Sequence, residues 1–536
     1  MGTMMATNIT TIVAMAIFAT VALTAIMAID CVGAFQTVPH HRACGVVGVP
    51  SRHYCHDRDR NDAVGIFSFR PFSAASLPPR RKQHLLAAAA SSSESHHAND
   101  SHLTSKFGRL DSKTWMFQNK YPIAYEVATG HDVDIENDVD IVPILLLNGF
   151  GVGSFHQHSL MRQILMLEQS DDEQQQQQQQ ERKQRHVIYG IDYLGQGKSW
   201  PENCNDGNSE DELNLGYSAD MWLDQLKGFI DEVILTLPSS SSNPSEKKVH
   251  LVGNSVGGYL STILTHRHPH CIASLTLMNA TPVWGLNLPG WDGKLPAPPF
   301  PKWVGRQMFD LIRDLNVIDK YLEAAYVHRE AFDGTCDDAF DHEDSDDEEG
   351  TMMDNNNNNG EPLGTKIRGC TMGMGGHAAF ASILWSAPAS DPTTGETTDF
   401  YGALGELPAD VLLLFGSADS WCTPAVAKRM HATLADRRGG VDDDGDDDDG
   451  SDGISPAERY VSVENAGHCP NHEAPAAVAS VLLRWIGASR RSEVTLVSAE
   501  RSRIKEQWGD AVLREVSIEE SRNLGMVDRI ISTMVG

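Results

Sequence analysis

The chain has 536 residues, of which 41% are hydrophobic and 22% are charged, a composition that suits a folded core and excludes a wholly disordered chain. Its formal net charge is -30, but residues 333–349 hold ten acids and residues 442–452 hold eight, with no Lys or Arg in either tract. Such tracts are typical of solvated loops and argue against a nucleic-acid surface. The nine cysteines form no C-x-x-C pair and no zinc-type spacing, so we expect free thiols, no metal and no cofactor.

The first segment of the chain is apolar, from residue 9 to residue 30, and small residues follow it. This pattern predicts a signal peptide at residues 1–34, although an apolar core of about 18 residues is also long enough for an uncleaved membrane anchor. The next stretch includes the acid-poor sequence RPFSAASLPPRRKQHLLAAAASSS. Residues 35–105 are therefore predicted to be a disordered segment of transit-peptide character.

From about residue 112, short β-branched or leucine-rich runs alternate with helical patterns. A helix with one apolar face is predicted at 218–237. The alternation predicts an α/β fold with a mostly parallel central sheet flanked by helices, its core divided between residues 112–281 and 405–487. The predicted strands are YPIAYEVA, IVPILLLNGFG, HVIYGIDYLGQG, KVHLVGN, ASLTLMNA, DVLLLFGSAD and RYVSVENAGH.

The segment between the two parts of the core, residues 282–404, is rich in aromatic residues and carries the acidic and Asn-rich insert. We expect a helical lid there. Trp284, Phe380 and Trp385 are candidates for substrate contact, and each fits the interior of the lid equally well. Residues 488–536 follow the core and are predicted to be a helical extension.

A serine flanked by glycines, Gly253-Asn-Ser255-Val-Gly257, joins a predicted strand to a predicted helix. In a G-x-S-x-G turn the serine takes a strained conformation that exposes its hydroxyl above the sheet. The glycines are needed because side chains would collide with the neighbouring strand and helix. Ser255 is therefore a candidate nucleophile, with an ordinary turn serine as the alternative.

A nucleophilic serine needs a base and an acid that orients the base. Asp419 follows a predicted strand in FGSADSW, and His468 follows the next one in NAGHCP. The order Ser255, Asp419, His468 is that of α/β hydrolases, with each residue at a strand's carboxyl end. Asn279 occupies the other strand end used for the acid, but it cannot carry a charge. The alternatives are a turn-forming aspartate and a capping or core histidine.

The same chemistry needs two N–H donors for the oxyanion. The backbone N–H of Phe150, in the glycine-rich run NGFGVGSF, and that of Val256 are the candidates. The remaining histidines near these motifs are expected to serve packing or the surface rather than to bind a ligand. They are His156, His158, His377 and His472.

Several blocks together, among them LLLNGFGVGSFHQH, VGNSVGGY, LMNATPVWGLN, HAAFASILWSAP and AGHCPNHEAP, resemble the pheophytinase and chlorophyll dephytylase group of the α/β-hydrolase superfamily over residues 115–486. The resemblance implies a Ser255, Asp419, His468 triad with Phe150 and Val256 as oxyanion donors. It also implies that the partner is a hydrophobic phytylated tetrapyrrole, magnesium-free chlorophyll, from which the enzyme removes phytol. No nucleic-acid partner is implied, and protein partners are unknown.

The run Gly33-Ala34-Phe35 resembles the cleavage region of bipartite presequences in algae with complex plastids. This resemblance implies a plastid location, with peripheral contact with plastid membranes as a further expectation. Two other functions remain open. The same triad could act on another plastid lipid or a small ester, or transfer an acyl group to an alcohol. Alternatively, the chain could be a catalytically silent α/β hydrolase that binds a ligand.

Overall fold

The computed structural model describes residues 101–105, 107–131, 133, 141–175, 185–201, 217–237, 247–284, 310–333, 361–373, 386–437, 456–498 and 502–525. The predicted signal peptide, the acidic tract 442–452 and the first tract beyond Asp333 lie outside these residues. So does the predicted transit segment up to residue 100. Its last residues, 101–105, form a strand, so the prediction of disorder is wrong at that end.

Eleven strands of the described residues form one sheet in the order β1-β2-β3-β5-β4-β6-β7-β8-β9-β11-β10. The six strands β5, β4, β6, β7, β8 and β9 are parallel, while β1, β2 and β3 on one side and β11 and β10 on the other pair antiparallel. The predicted mostly parallel sheet is confirmed. The strands are β1 Ser101–Ser105, β2 Gly108–Phe117, β3 Tyr121–Thr129, β4 Ile141–Leu147, β5 Arg185–Ile191, β6 Val249–Asn254, β7 Ile272–Met278, β8 Val411–Gly416, β9 Glu458–Glu464, β10 Arg503–Glu506 and β11 Gly509–Glu515.

The central strands are mostly apolar because both faces of the sheet are covered. Every residue of β6 and β8 is buried. In β4, Leu145 and Leu147 face one core cluster, whereas Ile144 and Leu146 face the other. Because successive side chains point to opposite faces of the sheet, each strand contributes to two separate apolar layers.

Eleven α-helices lie among the described residues, and none of them is both long and apolar enough to cross a membrane. The helix predicted at 218–237 is α2, which begins after the N-cap Ser218 and continues into a π-helical turn, Ile230–Ile234. The helices are α1 His158–Gln175, α2 Ala219–Phe229, α3 Val256–Arg267, α4 Leu315–Ala325, α5 Glu330–Asp333, α6 Leu363–Gly369, α7 Phe400–Gly405, α8 Pro424–Asp436, α9 Pro470–Glu473, α10 Pro475–Gly487 and α11 Ile518–Arg522.

The predicted lid contains α4, α5 and α6, together with residues outside the described ranges. Trp284, a candidate for substrate contact, is instead buried in the main core. Its ring packs on Trp222 at 5.5 Å and on Tyr259 at 5.4 Å, and its indole N–H donates to the hydroxyl of Ser386 at 2.8 Å. Phe380 and Trp385 lie outside the described residues.

The C-terminal extension is not helical as predicted: β10 and β11 form an antiparallel pair that extends the sheet from β9. The reason is a period of two in β11, where Ala511 and Leu513 are buried and Asp510 and Arg514 are exposed. The sequence GDAVLRE is too short to show the repeat of apolar residues that would favour a helix over this strand. Within the described part of the extension, the one α-helix is α11, which is capped by the Ser517 side chain.

Candidate active site

The turn between β6 and α3 places Ser255 in a backbone conformation that residues other than glycine rarely adopt, with φ 55° and ψ -119°. The flanking glycines make the turn sterically feasible. A Cβ at Gly253 would lie 2.4 Å from the carbonyl oxygen of Gly257, and a Cβ at Gly257 would lie 2.5 Å from that of Leu147. The contacts therefore explain why glycine stands on both sides of the serine.

Backbone hydrogen bonds hold this strained turn in place. The N–H of Ser255 donates to the carbonyl of Met278 at 3.0 Å, and its own carbonyl accepts from Gly258 at 2.9 Å and from Thr281 at 3.1 Å. The serine is thus tied to the end of β7 as well as to its own helix. Its side chain faces a cavity that His468 also lines.

The second element of the site is a buried pair formed by His468 and Asp419. Nδ1 of the histidine lies 2.7 Å from Oδ2 of the aspartate. Burial alone would raise the pKa of Asp419, but the charge and hydrogen bond of His468, with further hydrogen bonds, lower this pKa below its usual value. An ionised carboxylate in this position orients the imidazole and can stabilise its protonated form.

Asn279, which the sequence analysis considered only as an unsuitable acid, supports Asp419 instead. Its Nδ2 donates to Oδ2 of Asp419 at 2.7 Å, while its Oδ1 accepts from the N–H of Gly416 at 2.9 Å. The N–H of Trp421 donates to the other carboxylate oxygen, Oδ1, at 2.7 Å. The position of Asn279 just after β7, beside β8, was the available signal for this role.

The loop that carries His468 is fixed on two sides. Its N–H donates to the carbonyl of Ala325 in the lid at 2.7 Å, and its carbonyl accepts from Nδ2 of Asn254 at 3.0 Å. Asn254 immediately precedes Ser255, so one side chain joins the turn that carries the serine to the loop that carries the histidine. The indole of Trp421 packs on the imidazole at 4.8 Å.

A buried carboxylate, Glu473, joins the same loop to the lid. Its Oε2 accepts from the N–H of Gly467 at 2.6 Å. Its Oε1 accepts from the N–H groups of Val327 and His328 at 2.6 Å and 3.0 Å. Glu473 could not be identified from the sequence, because its role depends on contacts with residues about 145 positions away in the chain.

The cavity above Ser255 has a volume of about 410 Å³ and an apolar wall. Lid residues form much of it, and so do Phe150, His156 and Cys469. His156 was predicted to serve packing or the surface, but it lines this cavity. Of the other histidines with the same prediction, His158 pairs with Glu126 at 2.7 Å, and His377 lies outside the described residues. The lid residues on the wall include Ile312, Ile318, Tyr321, Leu322, Tyr326 and Ile367.

Both predicted oxyanion donors lie next to the serine. Val256 is the first residue of α3, whose N-terminus points its N–H groups towards the turn. Phe150 lies on the cavity wall, and its neighbour Gly149 is so close that a Cβ there would lie 3.4 Å from Cβ of Ser255. The N–H of Gly151 donates to Oε1 of Gln196 at 2.6 Å, which anchors the loop. The donor roles themselves stay predictions.

One cluster among the described residues has ligand atoms close enough to hold a metal: Asp419, Cys422 and His468, all within 4.8 Å of one another. Burial raises the pKa of the Cys422 thiol well above its usual value, and the nearby Asp419 carboxylate raises it further. A protonated thiol is a poor metal ligand. Nδ1 of His468 is already engaged by Asp419, so this arrangement favours acid–base chemistry over metal binding.

Comparisons with known proteins agree with this architecture. The profile described as "Alpha/beta hydrolase family" matches residues 144–481. Chloroplastic pheophytinase from Arabidopsis thaliana is 25% identical over 385 residues, which cover 65% of this chain and 62% of that protein. The match thus spans less than two thirds of the relative.

Solved structures with a similar fold include an esterase from Exiguobacterium antarcticum, 15% identical, with a TM-score of 0.41 over 70% of this chain and 99% of that one. A meta-cleavage product hydrolase from Pseudomonas fluorescens IP01 is 13% identical, with a TM-score of 0.41 over 70% of this chain and 98% of that one.

Proposed function

The chain belongs to the α/β-hydrolase family, and we propose that it is a serine carboxylester hydrolase that removes a long prenyl alcohol, phytol, from a magnesium-free chlorophyll. The single observation that carries the ester chemistry is the carboxylate of Asp419, 2.7 Å from Nδ1 of His468, together with a strained serine that lines the same cavity as this histidine. This arrangement contains the parts that acyl transfer through a serine requires.

In the proposed reaction the Oγ of Ser255 attacks the ester carbonyl carbon while Nε2 of His468 takes the hydroxyl proton. The carbonyl oxygen becomes an oxyanion, which accepts hydrogen bonds from the N–H groups of Phe150 and Val256. Collapse of this intermediate breaks the bond to the alcohol oxygen, and His468 returns its proton to that oxygen. The acid part remains bound to the serine as an ester.

Water then completes the cycle. His468 takes a proton from a water molecule, the resulting oxygen attacks the acyl-enzyme, and the bond to Ser255 breaks with the proton returned to the serine. The products are a free carboxylic acid and the alcohol. Asp419 keeps Nδ1–H of His468 in place throughout, so Nε2 is the nitrogen that exchanges protons.

The apolar wall of the cavity supports a bulky apolar ester as substrate. Small-molecule sites that bind by burial are lined by apolar and aromatic side chains with a few polar groups, as here, and the 410 Å³ cavity is within their size range. Similarity to a protein named as pheophytinase supports a phytylated tetrapyrrole in particular.

The test compares pheophytin, chlorophyll and a short-chain ester with protein from residue 101 onwards, which keeps β1. We expect phytol release to be fastest from pheophytin, and Ser255→Ala to lower every rate by several orders of magnitude without unfolding the protein, since only one oxygen is removed. Equal rates on both pigments would widen the substrate class to chlorophylls. Turnover of the short ester alone would exclude the tetrapyrrole, and activity that survives in folded Ser255→Ala would exclude the serine mechanism.

We also propose a plastid location, supported by the Gly33-Ala34-Phe35 run and by similarity to a protein named as chloroplastic. A fluorescent protein fused to residues 1–105 should enter a plastid, and Phe35→Ala should leave it outside the innermost compartment. Secretion of the unchanged fusion, or its retention in the endoplasmic reticulum membrane, would contradict this location.

A further inference from the structure

The antiparallel hairpin of β10 and β11 lies outside the residues that the family profile matches, and the proposed reaction uses none of its side chains. The hairpin is joined to the site through β9, the strand that leads into the loop of His468. Val512 and Leu513 of β11 pair with Glu464 and Val463 at the end of β9. The hairpin is therefore attached to the strand end that carries the loop of the proposed base.

Asn465, the first residue after β9, connects the hairpin to the histidine loop and to the lid. Its φ is 66°, a left-handed backbone conformation that asparagine adopts more readily than most residues. Its Nδ2 donates to the carbonyl of Asp510 in β11 at 3.2 Å. Its own carbonyl accepts from Nε2 of His328, in the lid, at 3.1 Å. One residue of the histidine loop is thus bonded to the hairpin on one side and to the lid on the other.

The turn of the hairpin reaches the same junction through Trp508. Its half-buried indole packs against an apolar cluster, and its ring lies 5.9 Å from that of His472 in α9. The ring of His472 stacks in turn on that of His156, in the cavity wall, at 5.1 Å. The adjacent Gly509 lies so near the lid that a Cβ there would be 3.5 Å from Cε1 of His328. The members of the apolar cluster that also line the cavity are Ile318, Leu322, Ala325, Tyr326 and Cys469.

The hydrogen bonds at this junction hold the proposed base in position. The N–H of His468 donates to the carbonyl of Ala325 at 2.7 Å. The N–H groups of Val327 and His328 donate to Glu473 at 2.6 Å and 3.0 Å, and the same carboxylate accepts from the residue before His468. A misplacement of about 1 Å at a catalytic group can cost about 100-fold in rate, so whatever supports this junction also affects catalysis.

We propose that the hairpin of β10 and β11 is a clamp on the active site, in which Trp508 is the positioning residue that holds lid residues 325–328 against the loop of His468. Among the described residues that line the cavity, none belongs to the hairpin. The hairpin therefore acts on the rate through the position of His468, and on substrate binding through the lid wall of the cavity. Its effect on turnover rests on the proposed ester hydrolase function, whereas its effect on the lid does not.

The first test measures hydrogen exchange of the backbone amides in peptides that cover residues 325–328 and 467–473, where the N–H groups of the junction lie. Trp508→Ala should raise exchange in both peptides by at least about ten-fold, because local opening of the junction then costs less free energy. Exchange in β4 and β6 should stay as in the parent. Trp508→Phe keeps an aromatic ring against His472 and should restore most of the protection.

The second test measures turnover of two esters of one alcohol, 4-nitrophenyl acetate and 4-nitrophenyl decanoate. Trp508→Ala should lower kcat for both esters by about ten-fold, because His468 is displaced. It should raise KM by about five-fold for the decanoate alone, because only the long acyl chain is buried against the lid wall. Trp508→Phe should bring kcat and KM back towards the parent values. If Trp508→Ala does not fold, Trp508→Leu, which keeps apolar bulk but no ring, is measured in its place by both tests.

The matched control is Trp115→Ala, which removes another half-buried indole. Trp115 packs on the rings of Phe117 at 5.7 Å and Phe229 at 5.6 Å, but it lies in β2 and does not line the cavity. This variant should lower the melting temperature by a similar amount and leave junction exchange, kcat and KM as in the parent.

Three results would overturn the proposal: junction exchange in Trp508→Ala that equals the parent's, an equal rise in Trp115→Ala, or raised exchange with kcat and KM within two-fold of the parent. Esterase activity that is lost in Ser255→Ala would still support the hydrolase function in those cases. If the parent hydrolysed neither these esters nor the pigments, the proposed function would fail separately, and the exchange results alone would decide whether the hairpin clamps the lid.

Discussion

Replacement of Asp419 by Asn tests the hydrogen bonds around this carboxylate more sharply than removal of the carboxylate by replacement with Ala would. The N–H of Trp421 donates to Oδ1, so it should hold the oxygen of the new amide in that place. The amide nitrogen then occupies the place of Oδ2, which faces Nδ1 of His468 at 2.7 Å and Nδ2 of Asn279 at 2.7 Å. An N–H donor towards Nδ1 forces the histidine proton onto Nε2, which can then no longer accept the serine proton.

We expect Asp419→Asn to lower kcat/KM by about 10⁴-fold, which corresponds to about 5 kcal/mol of transition-state stabilisation. The free energy of unfolding should fall by about 1–3 kcal/mol, because two N–H donors now face each other at a buried position. A flip of the Asn279 amide would separate the two donors, but it would break the hydrogen bond that the N–H of Gly416 donates to Oδ1 of Asn279.

The double variant Asn279→Asp/Asp419→Asn separates the two effects. A carboxylate at position 279 accepts from the new amide and from Gly416, so stability should return to within about 1 kcal/mol of the parent. Activity should stay at least about 100-fold below the parent, since an N–H still faces Nδ1 of His468. Ester hydrolysis and urea denaturation measure the two quantities. Recovery of activity to within ten-fold would refute the argument, because the acid could then act from the end of β7.

Three further predictions concern the supports of the site. Gly257→Ala should destabilise the protein by about 3 kcal/mol or more, because the new methyl meets backbone oxygen, whereas at Gly487, where nothing lies within 4 Å, the same change should be neutral or slightly stabilising in a thermal melt. Glu473→Gln leaves at least one buried N–H without an acceptor and should lower kcat. Glu506→Gln is the control: Glu506 ends β10 and accepts from the N–H of Ala477 in α10, away from the cavity, so this change should leave kcat within two-fold and alter stability alone. Burial opposes ionisation of Glu126, but the effect of its partner His158 is larger and lowers the pKa of Glu126 from 4.5 to about 2. The ionised glutamate therefore contributes fully to the stability of the fold above pH 4.5, and this contribution is lost as the pH falls through 2. Urea denaturation should therefore show a shallower acid-side loss of stability in Glu126→Gln, and equal slopes would contradict the pairing.

The sheet and the pair of Asp419 and His468 could be predicted because each depends on local sequence. A strand buried on both faces is recognisable as a short apolar run, and parallel strands bring their carboxyl ends to one edge. Residues that follow such runs must therefore lie near one another. Prediction of the role of Ser255 needed one more signal, the glycines on each side of it. The turn requires these glycines because a side chain at either position would collide with the backbone.

Other features could not be predicted because they depend on contacts between distant residues. Aromatic composition does not tell whether Trp284 packs on Trp222 and Tyr259 or faces a ligand, and both environments favour an indole. A histidine after a glycine-rich loop is equally suited to the core or to a cavity. His156 is distinguished only by the lid tyrosine 170 positions away.

The lid shares hydrogen bonds with the loops that carry Asp419 and His468, the proposed acid and base, and this limits how independently substrate choice and chemistry can vary. Ala325 ends α4 and accepts from the N–H of His468, while the adjacent Ala324 accepts from the hydroxyl of Ser420, next to Asp419. Glu473 bonds both the lid and the residue before His468. A change in the lid that shifts this segment must therefore also move the acid or the base. Because a misplacement of about 1 Å at a catalytic group can cost about 100-fold in rate, the segment that shapes the cavity also helps to hold the residues of the proposed triad in position.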